Sequence, residues 1–533
     1  MGHLPLSPPT RRAVLAAVAA GVILACTACS GGAPAATGAS SSDPVRGGTM
    51  TMVIPADEGC VDPQQNLGRT QLVIGRSLVD SLVFQTPDSQ FQPWLAKSWR
   101  VSPDGTKYTF HLRDNVTFSD GSKLTAGTVK ANFDGIVALG AKARLASTYL
   151  VGYQGTTVVD PQTATVTFDK PNAAFLQAVS TPTMGMVADA STTKGQADRC
   201  RDGVIGSGPY TLKSYQQNQS QTLVRRTGYA WAPAALHQGE GYLDEVDVNI
   251  VPESGVRTGS VVSGQADLMM EVQNADVTTL EKAKVAIETR SNPGLPQQLF
   301  VNTKGSVLGD VAVRQALQKG INRQELVSST LNKYQKVATG ALSSTTPGYI
   351  DLSSQMGFDQ AGAKKLLDDA GWVPGADGIR SKGGQRLTFS LLYGSQLYGF
   401  LVPLMSLAQQ QLKQIGMDMA LRPMPDADAN AAWINGDYEL RISGLTRADP
   451  DALRTGLAGL NPDLDALLTK QMSTSESKAR MAIAADAQRL VISQGIAIPI
   501  NELALPLSHG AAVNGVTFAG DSLLLLDELW KTA

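Results

Sequence analysis

The sequence predicts a mixed α/β chain, on three observations. The chain has 533 residues, 43% of them hydrophobic, enough for a large core and for two or three domains. Gly47 to Pro55, GGTMTMVIP, reads as a strand, and Leu72 to Leu82 then carries apolar residues at helical spacing. Further on, a hairpin runs directly into a capped helix.

These elements follow from local chemistry. The glycine pair and alternating β-branched residues of 47–55 favour an extended chain. Asp57-Glu58-Gly59-Cys60-Val61-Asp62-Pro63 is rich in turn formers and predicts a loop. Asp104-Gly105 makes a turn, and Tyr108, Phe110 and Leu112 then share one face of a strand, with Thr109 and His111 on the other. Asp120-Gly121 turns the chain again, and Thr125 is placed to cap a helix carrying Val129, Phe133 and Ile136 on one face.

The chain opens on a leader. Arg11 and Arg12 precede an apolar run from Ala13 to Ala25, too short to span a bilayer and of the length of an export signal. Ile23-Leu24-Ala25-Cys26 resembles a bacterial lipobox, so residues 1–25 are expected to be removed and Cys26 to carry lipid, with Cys29 the rival site. Thr10 to Leu15 also resembles a twin-arginine signal, although an ordinary cationic leader explains the same residues. Residues 26–45 are expected to form a flexible tether, because Ser30 to Pro44 contains no aliphatic residue larger than alanine. Fifteen such residues reach roughly 20 Å. The lipid is the only membrane anchor expected.

Composition excludes several classes. With 45 basic and 47 acidic residues, the chain lacks the basic excess that nucleic-acid binding needs. His3, His111, His237 and His509 have no metal-ligand spacing, so no metal site is expected. No G-x-S-x-G elbow, phosphate loop, G-x-G-x-x-G or H-E-x-x-H occurs, and no catalytic residue or cofactor is expected. Cys60 and Cys200 remain after the leader, either as a disulfide, which persists outside the cytoplasm, or as two buried thiols.

One stretch carries more than local structure. Trp94-Leu95-Ala96-Lys97-Ser98-Trp99 and the following SPDGTKYTFHLRDNVTFSDGSKLTAGTVKANFDGI resemble the signature of extracellular solute-binding proteins of family 5, the binding components of oligopeptide, dipeptide and nickel ABC importers. The resemblance continues through Gly206-Ser207-Gly208-Pro209-Tyr210, Ser263-Gly264-Gln265-Ala266-Asp267, Val313 to Leu317 with Gly320 to Arg323, Lys364 to Trp372, Gln411 to Gly416 and Ile498-Pro499-Ile500. Gln265 stands where the family usually has an acid, and Gly320 where alanine is common.

The resemblance implies two α/β lobes of the periplasmic-binding-protein type, joined by a hinge with the ligand cleft between them. The first lobe would be 46–272 with 503–533 returning to it, and the second 273–502, with crossings near Val272 and Glu502. It implies a monomeric receptor outside the cytoplasm that closes on a short peptide and hands it to a permease with cytoplasmic ATPases. Nickel chelates, haem, oligosaccharides and opine-like metabolites are the alternatives in the same fold. A sensing lipoprotein without a permease, or an extracytoplasmic hydrolase, are the readings from other classes. In peptide-binding relatives an aspartate late in the second lobe holds the ligand ammonium, which points to Asp449. Its alternative role is to cap a helix beginning near Asp451. Arg447 could face a ligand carboxylate or lie at the surface. Asp57 and Glu58, in the loop after the first strand, are candidates because open α/β sheets form clefts there. Trp433 is a candidate pocket wall or a core residue.

Overall fold

The computed structural model describes residues 43–304, 307–396 and 399–532. The leader, Cys26, Cys29 and all but the end of the tether lie outside them. Among the described residues no helix is long and apolar enough to cross a membrane.

Thr49–Ile54 is the first strand, and Met50, Met52 and Ile54 are buried on one of its faces. It sits inside a seven-stranded sheet, parallel to Glu245–Ile250 and Leu268–Met270. A second sheet of five strands contains Gly294–Val301, Thr388–Gly394, Asp418–Met424, Leu440–Thr446 and Ala497–Asn501. Each sheet has its own large apolar cluster.

A four-stranded antiparallel sheet, built from Ala96–Val101, Lys107–Leu112, Thr163–Phe168 and Tyr153–Asp160, extends the first part of the chain. Tyr108, Phe110 and Leu112 are buried while His111 is exposed, as the alternation predicts. Helix Ala126–Leu139 covers this sheet, and Thr125 caps it by accepting from the Thr128 amide.

The expected helix at 72–82 is displaced: it runs Arg69–Leu78. Asp80 ends it, because its amide bonds Ser207 Oγ and its buried carboxylate accepts from Trp231 Nε1 at 2.7 Å. Gly206 and Gly208 press against the last turn of this helix. A Cβ on Gly206 would lie 1.9 Å from the Leu78 carbonyl oxygen, which explains the glycines of that motif. At Gly320 a Cβ would lie 2.5 Å from Ile415 Cδ1, the movable end of a side chain, so the constraint there is softer than at Gly206. The glycine costs this helix up to about 1 kcal/mol of propensity.

The passage between sheets differs from the expected boundary. Ala286–Glu288 still pairs with Leu507–His509 of the first sheet, so the chain crosses at 289–293 rather than near Val272. A three-residue edge strand has too little pattern to be read from sequence. The return crossing spans 502–506, and 507–509 then inserts between 268–270 and 286–288. The crossings bond one another, through the Asn292 amide to the Leu503 carbonyl at 2.7 Å and a bridge between Ser291 and Ala504.

Candidate functional site

Beyond these paired crossings the two lobes face each other. Gln85 Nε2 donates to the Ala448 carbonyl at 2.9 Å, and the Ala173 amide to the Met472 carbonyl at 3.2 Å. The Arg447 guanidinium lies 4.6 Å from the centre of the Tyr149 ring, and its Nη2 donates to Thr148 Oγ1 at 3.2 Å. Two cavities open between these contacts. The larger, about 720 Å³, is lined by Gln85 and Tyr108 from one side, Ser344, Asp449 and Arg480 from the other, and Arg290 of the crossing. The smaller, about 400 Å³, has Tyr149 and Lys170 opposite Arg447 and Arg454. A surface groove of about 650 Å³ lies wholly within the second lobe and touches no cleft residue. The larger cavity falls in the size range of small-molecule sites.

Asp449 lines the larger cavity, but both its oxygens face Arg480: Nη1 donates to Oδ2 at 2.8 Å and Nη2 to Oδ1 at 2.6 Å. Oδ1 also accepts from the Asp451 amide at 2.7 Å, just ahead of helix Ala452–Leu457. Asp449 is 5% exposed and Arg480 6%, so this is a buried bidentate pair, the strongest form of such contacts. Arg447 is buried rather than superficial and pairs with Asp451, which also holds Arg454. Both buried carboxylates of the second-lobe wall are therefore already held, Asp449 by Arg480 and Asp451 by Arg447 and Arg454.

The other expected site residues are elsewhere. Asp57 accepts from the Gly59 and Asn218 amides and Glu58 from the Leu67 amide, so both carboxylates brace the loop after the first strand. Trp433 is half-buried, with the Arg441 guanidinium 3.6 Å from its ring centre, beside a pocket of about 150 Å³ inside the second lobe. The sulfurs of Cys60 and Cys200 are bonded, tying that same loop to helix Gln196–Asp202. The buried pair Arg199–Asp62, at 2.9 Å, and Arg199 donating to Gln64 Oε1 at 2.7 Å complete the clamp.

Sequence reasoning missed Arg480, Arg290 and Gln85, which line the larger cavity, and Glu502 behind Ser344. Arg480 had a signal, since it is in helical phase with Ile483, Ala484, Ala487 and Val491, all buried. An arginine in register with an apolar stripe calls for a buried partner. Glu502 is 2% exposed and accepts from the Ser344 amide at 2.6 Å through Oε1. Below the cleft, burial pushes the Asp80 carboxyl up to about 7, against the Trp231 hydrogen bond and the charge of Arg76, and pushes Asp527 up to about 6. No group of residues suited to a metal ion occurs among the described residues.

Comparison with known proteins agrees with this architecture. The glutathione-binding protein GsiB of Salmonella paratyphi A is 24% identical over 498 residues, covering 88% of this chain and 91% of its own. The structure of NikA from Brucella suis in complex with Fe(III)-EDTA superposes with a TM-score of 0.77 at 22% identity, over 91% of this chain and 100% of that one. DppA from Helicobacter pylori in complex with the peptide STSA gives 0.71 at 22% identity, over 92% and 99%. Residues 90–458, more than half the chain, match the bacterial extracellular solute-binding proteins, family 5 Middle. The chain belongs to this family, the substrate-binding components of ABC importers, whose work is binding and not catalysis.

Proposed function

We propose that this protein is a monomeric receptor, lipid-anchored through Cys26 on the outer face of the cell membrane, that captures short peptides between its lobes and presents them to an ABC permease. The observation that carries the ligand reading is the 720 Å³ cavity, bounded by both lobes and by Arg290 of the outgoing crossing. A ligand touching both walls favours the closed lobes by its differential affinity for them. Exclusion of water then strengthens each polar contact in the cleft. The peptide reading draws support from GsiB and from DppA with its bound peptide. NikA, with a metal chelate, supports a second reading in which the ligand is a compact polycarboxylate.

The test is calorimetric titration of the exported chain with glutathione, tri-alanine and Fe(III)-EDTA. Saturable binding of either peptide supports the proposal, and binding of the chelate alone replaces it with the second reading. For the anchor, Cys26→Ala should release the protein to the medium. Continued membrane attachment would transfer the lipid to Cys29.

A further inference from the structure

Part of the second-lobe wall of the larger cavity is tied to the chain crossings. Residues 344–348 line that cavity. Thr345 Oγ1 donates to the Ser291 carbonyl on the outgoing crossing at 2.9 Å, and the Ser344 amide donates to Glu502 Oε1 on the return crossing at 2.6 Å. Just past the outgoing crossing, the Gly294 amide donates to Thr346 Oγ1 at 2.7 Å, and the Gly294 carbonyl accepts from the Ser343 amide at 2.8 Å.

The first lobe enters the same network. The Ser291 carbonyl that accepts from Thr345 also accepts from Ser522 Oγ at 2.9 Å, and Ser522 Oγ accepts in turn from Arg290. Ser522 holds a φ of 64°, in the left-handed region that favours glycine, and a glycine would lack this hydroxyl. The two crossings bond each other through the Asn292 amide and the Leu503 carbonyl. Wall, crossings and the turn at 520–522 thus form one hydrogen-bonded body. A rotation of the lobes about the crossings either carries the wall with it or breaks these bonds.

Glu502 is the tie from the return crossing. Its side chain is buried, Oε1 takes the Ser344 amide, and Oε2 has no protein partner. Its own amide donates to the Lys336 carbonyl at 2.8 Å, so the backbone from which it reaches is fixed. Burying a carboxylate for the sake of one backbone amide is costly. What the carboxylate supplies in return is a charge-assisted hydrogen bond, stronger than a neutral acceptor would make.

We infer that Glu502 is a positioning residue: through the Ser344 amide it locks the cavity wall at 344–348 to the hinge, so that the wall and the angle between the lobes change together. It does not line the cavity and acts through Ser344. Without the tie the wall is loosened from the return crossing, and a ligand pressing on it no longer resists opening of the lobes. This inference rests on the cavity being the ligand site, and not on the ligand being a peptide.

The test is hydrogen exchange of the exported chain without added ligand, wild type beside Glu502→Ala and Glu502→Gln. The Ala173 amide donates across the cleft to the Met472 carbonyl, so its exchange reports parting of the lobes. In Glu502→Ala this amide should exchange about tenfold faster, as for loss of a hydrogen bond to a charged group. Glu502→Gln keeps an acceptor for the Ser344 amide and should stay within about threefold of the wild type. Amides of helices Ala126–Leu139 and Val402–Lys413, one in each lobe, should exchange as before. Should Glu502→Ala fail to fold, Thr345→Val, which removes the tie to Ser291, carries the exchange comparison. Tri-alanine titrated into the same proteins should lose affinity by about the factor that the Ala173 amide gains in rate. If tri-alanine does not bind the wild type, the peptide reading falls and the Ala173 amide still decides the inference. Faster exchange confined to residues around Ser344, uniform acceleration through both lobes, or Glu502→Gln as fast as Glu502→Ala would overturn it. So would an unprotected Ala173 amide in the wild type, or tri-alanine held equally tightly by wild type and Glu502→Ala.

Discussion

The two walls of the cleft treat charge in opposite ways. On the second-lobe wall Asp449 meets Arg480 and Asp451 meets Arg447, all four nearly inaccessible to water. Arg290 of the crossing, which lines the larger cavity, and Arg69, which lines neither, hold only neutral acceptors. A wall whose carboxylates are already held by arginines supplies shape and rigidity to a ligand. A wall whose arginine holds only neutral acceptors keeps its charge without a counter-ion in contact. The residue that the family resemblance singles out, Asp449, thus belongs to the self-satisfied wall.

The largest effect should come from breaking that wall. Asp449→Asn leaves Arg480 buried without its counter-ion and should cost roughly 3–5 kcal/mol of folding stability. Urea unfolding of Asp449→Asn beside the double variant Asp449→Asn/Arg480→Met would isolate the pair. The double variant should regain most of the loss, because removing both charges removes the unpaired one. A single variant as stable as the wild type would mean the pair is not formed in solution.

Next in size is the clamp under the other wall. Cys200→Ser removes the bridge to Cys60 and with it the covalent tie on the loop that leads into Arg69. The expected loss is about 2–4 kcal/mol in chemical unfolding, accompanied by weaker ligand binding. Full stability with unaltered binding would separate the loop from the cleft.

A smaller effect should follow at the contact between walls. Thr148→Val deletes the acceptor for Arg447 Nη2. If that contact is part of the ligand-holding form, affinity should drop by about fivefold, the equivalent of about 1 kcal/mol. Calorimetric affinities of the two proteins measure it, and equal values would exclude Thr148 from closure.

The smallest effect is a change of slope. Asp80 is held up to about 7 by burial, against a value of 3.8 when free. The folded state keeps that proton where the unfolded chain has lost it, so stability falls as pH rises from about 4 to about 7. Asp80→Asn should flatten this decline in melting temperature. Asp527 and Glu528, raised by burial to about 6 and about 7, should leave a residual slope of the same sign. A variant with the wild-type slope would show that Asp80 titrates normally.

Much of the framework was legible because it rests on short-range chemistry. The alternation of Tyr108, Phe110 and Leu112 and the cap at Thr125 need only neighbours in sequence. The ligand-facing features depend on distant partners instead. Asp449 and Arg480 are 31 residues apart, and Arg290 reaches carbonyls at Pro87 and Gly520. No local pattern distinguishes a carboxylate awaiting a ligand from one already held by an arginine. The crossing at 289–293 was illegible for a related reason, since Ala286–Glu288 becomes a strand only by pairing with 507–509.

The central claim, that the interlobe cavity captures short peptides, is tested most directly by native mass spectrometry of the exported chain after gentle purification. The account predicts a spread of retained masses that fit short peptides. A single discrete mass with no peptide composition would contradict it.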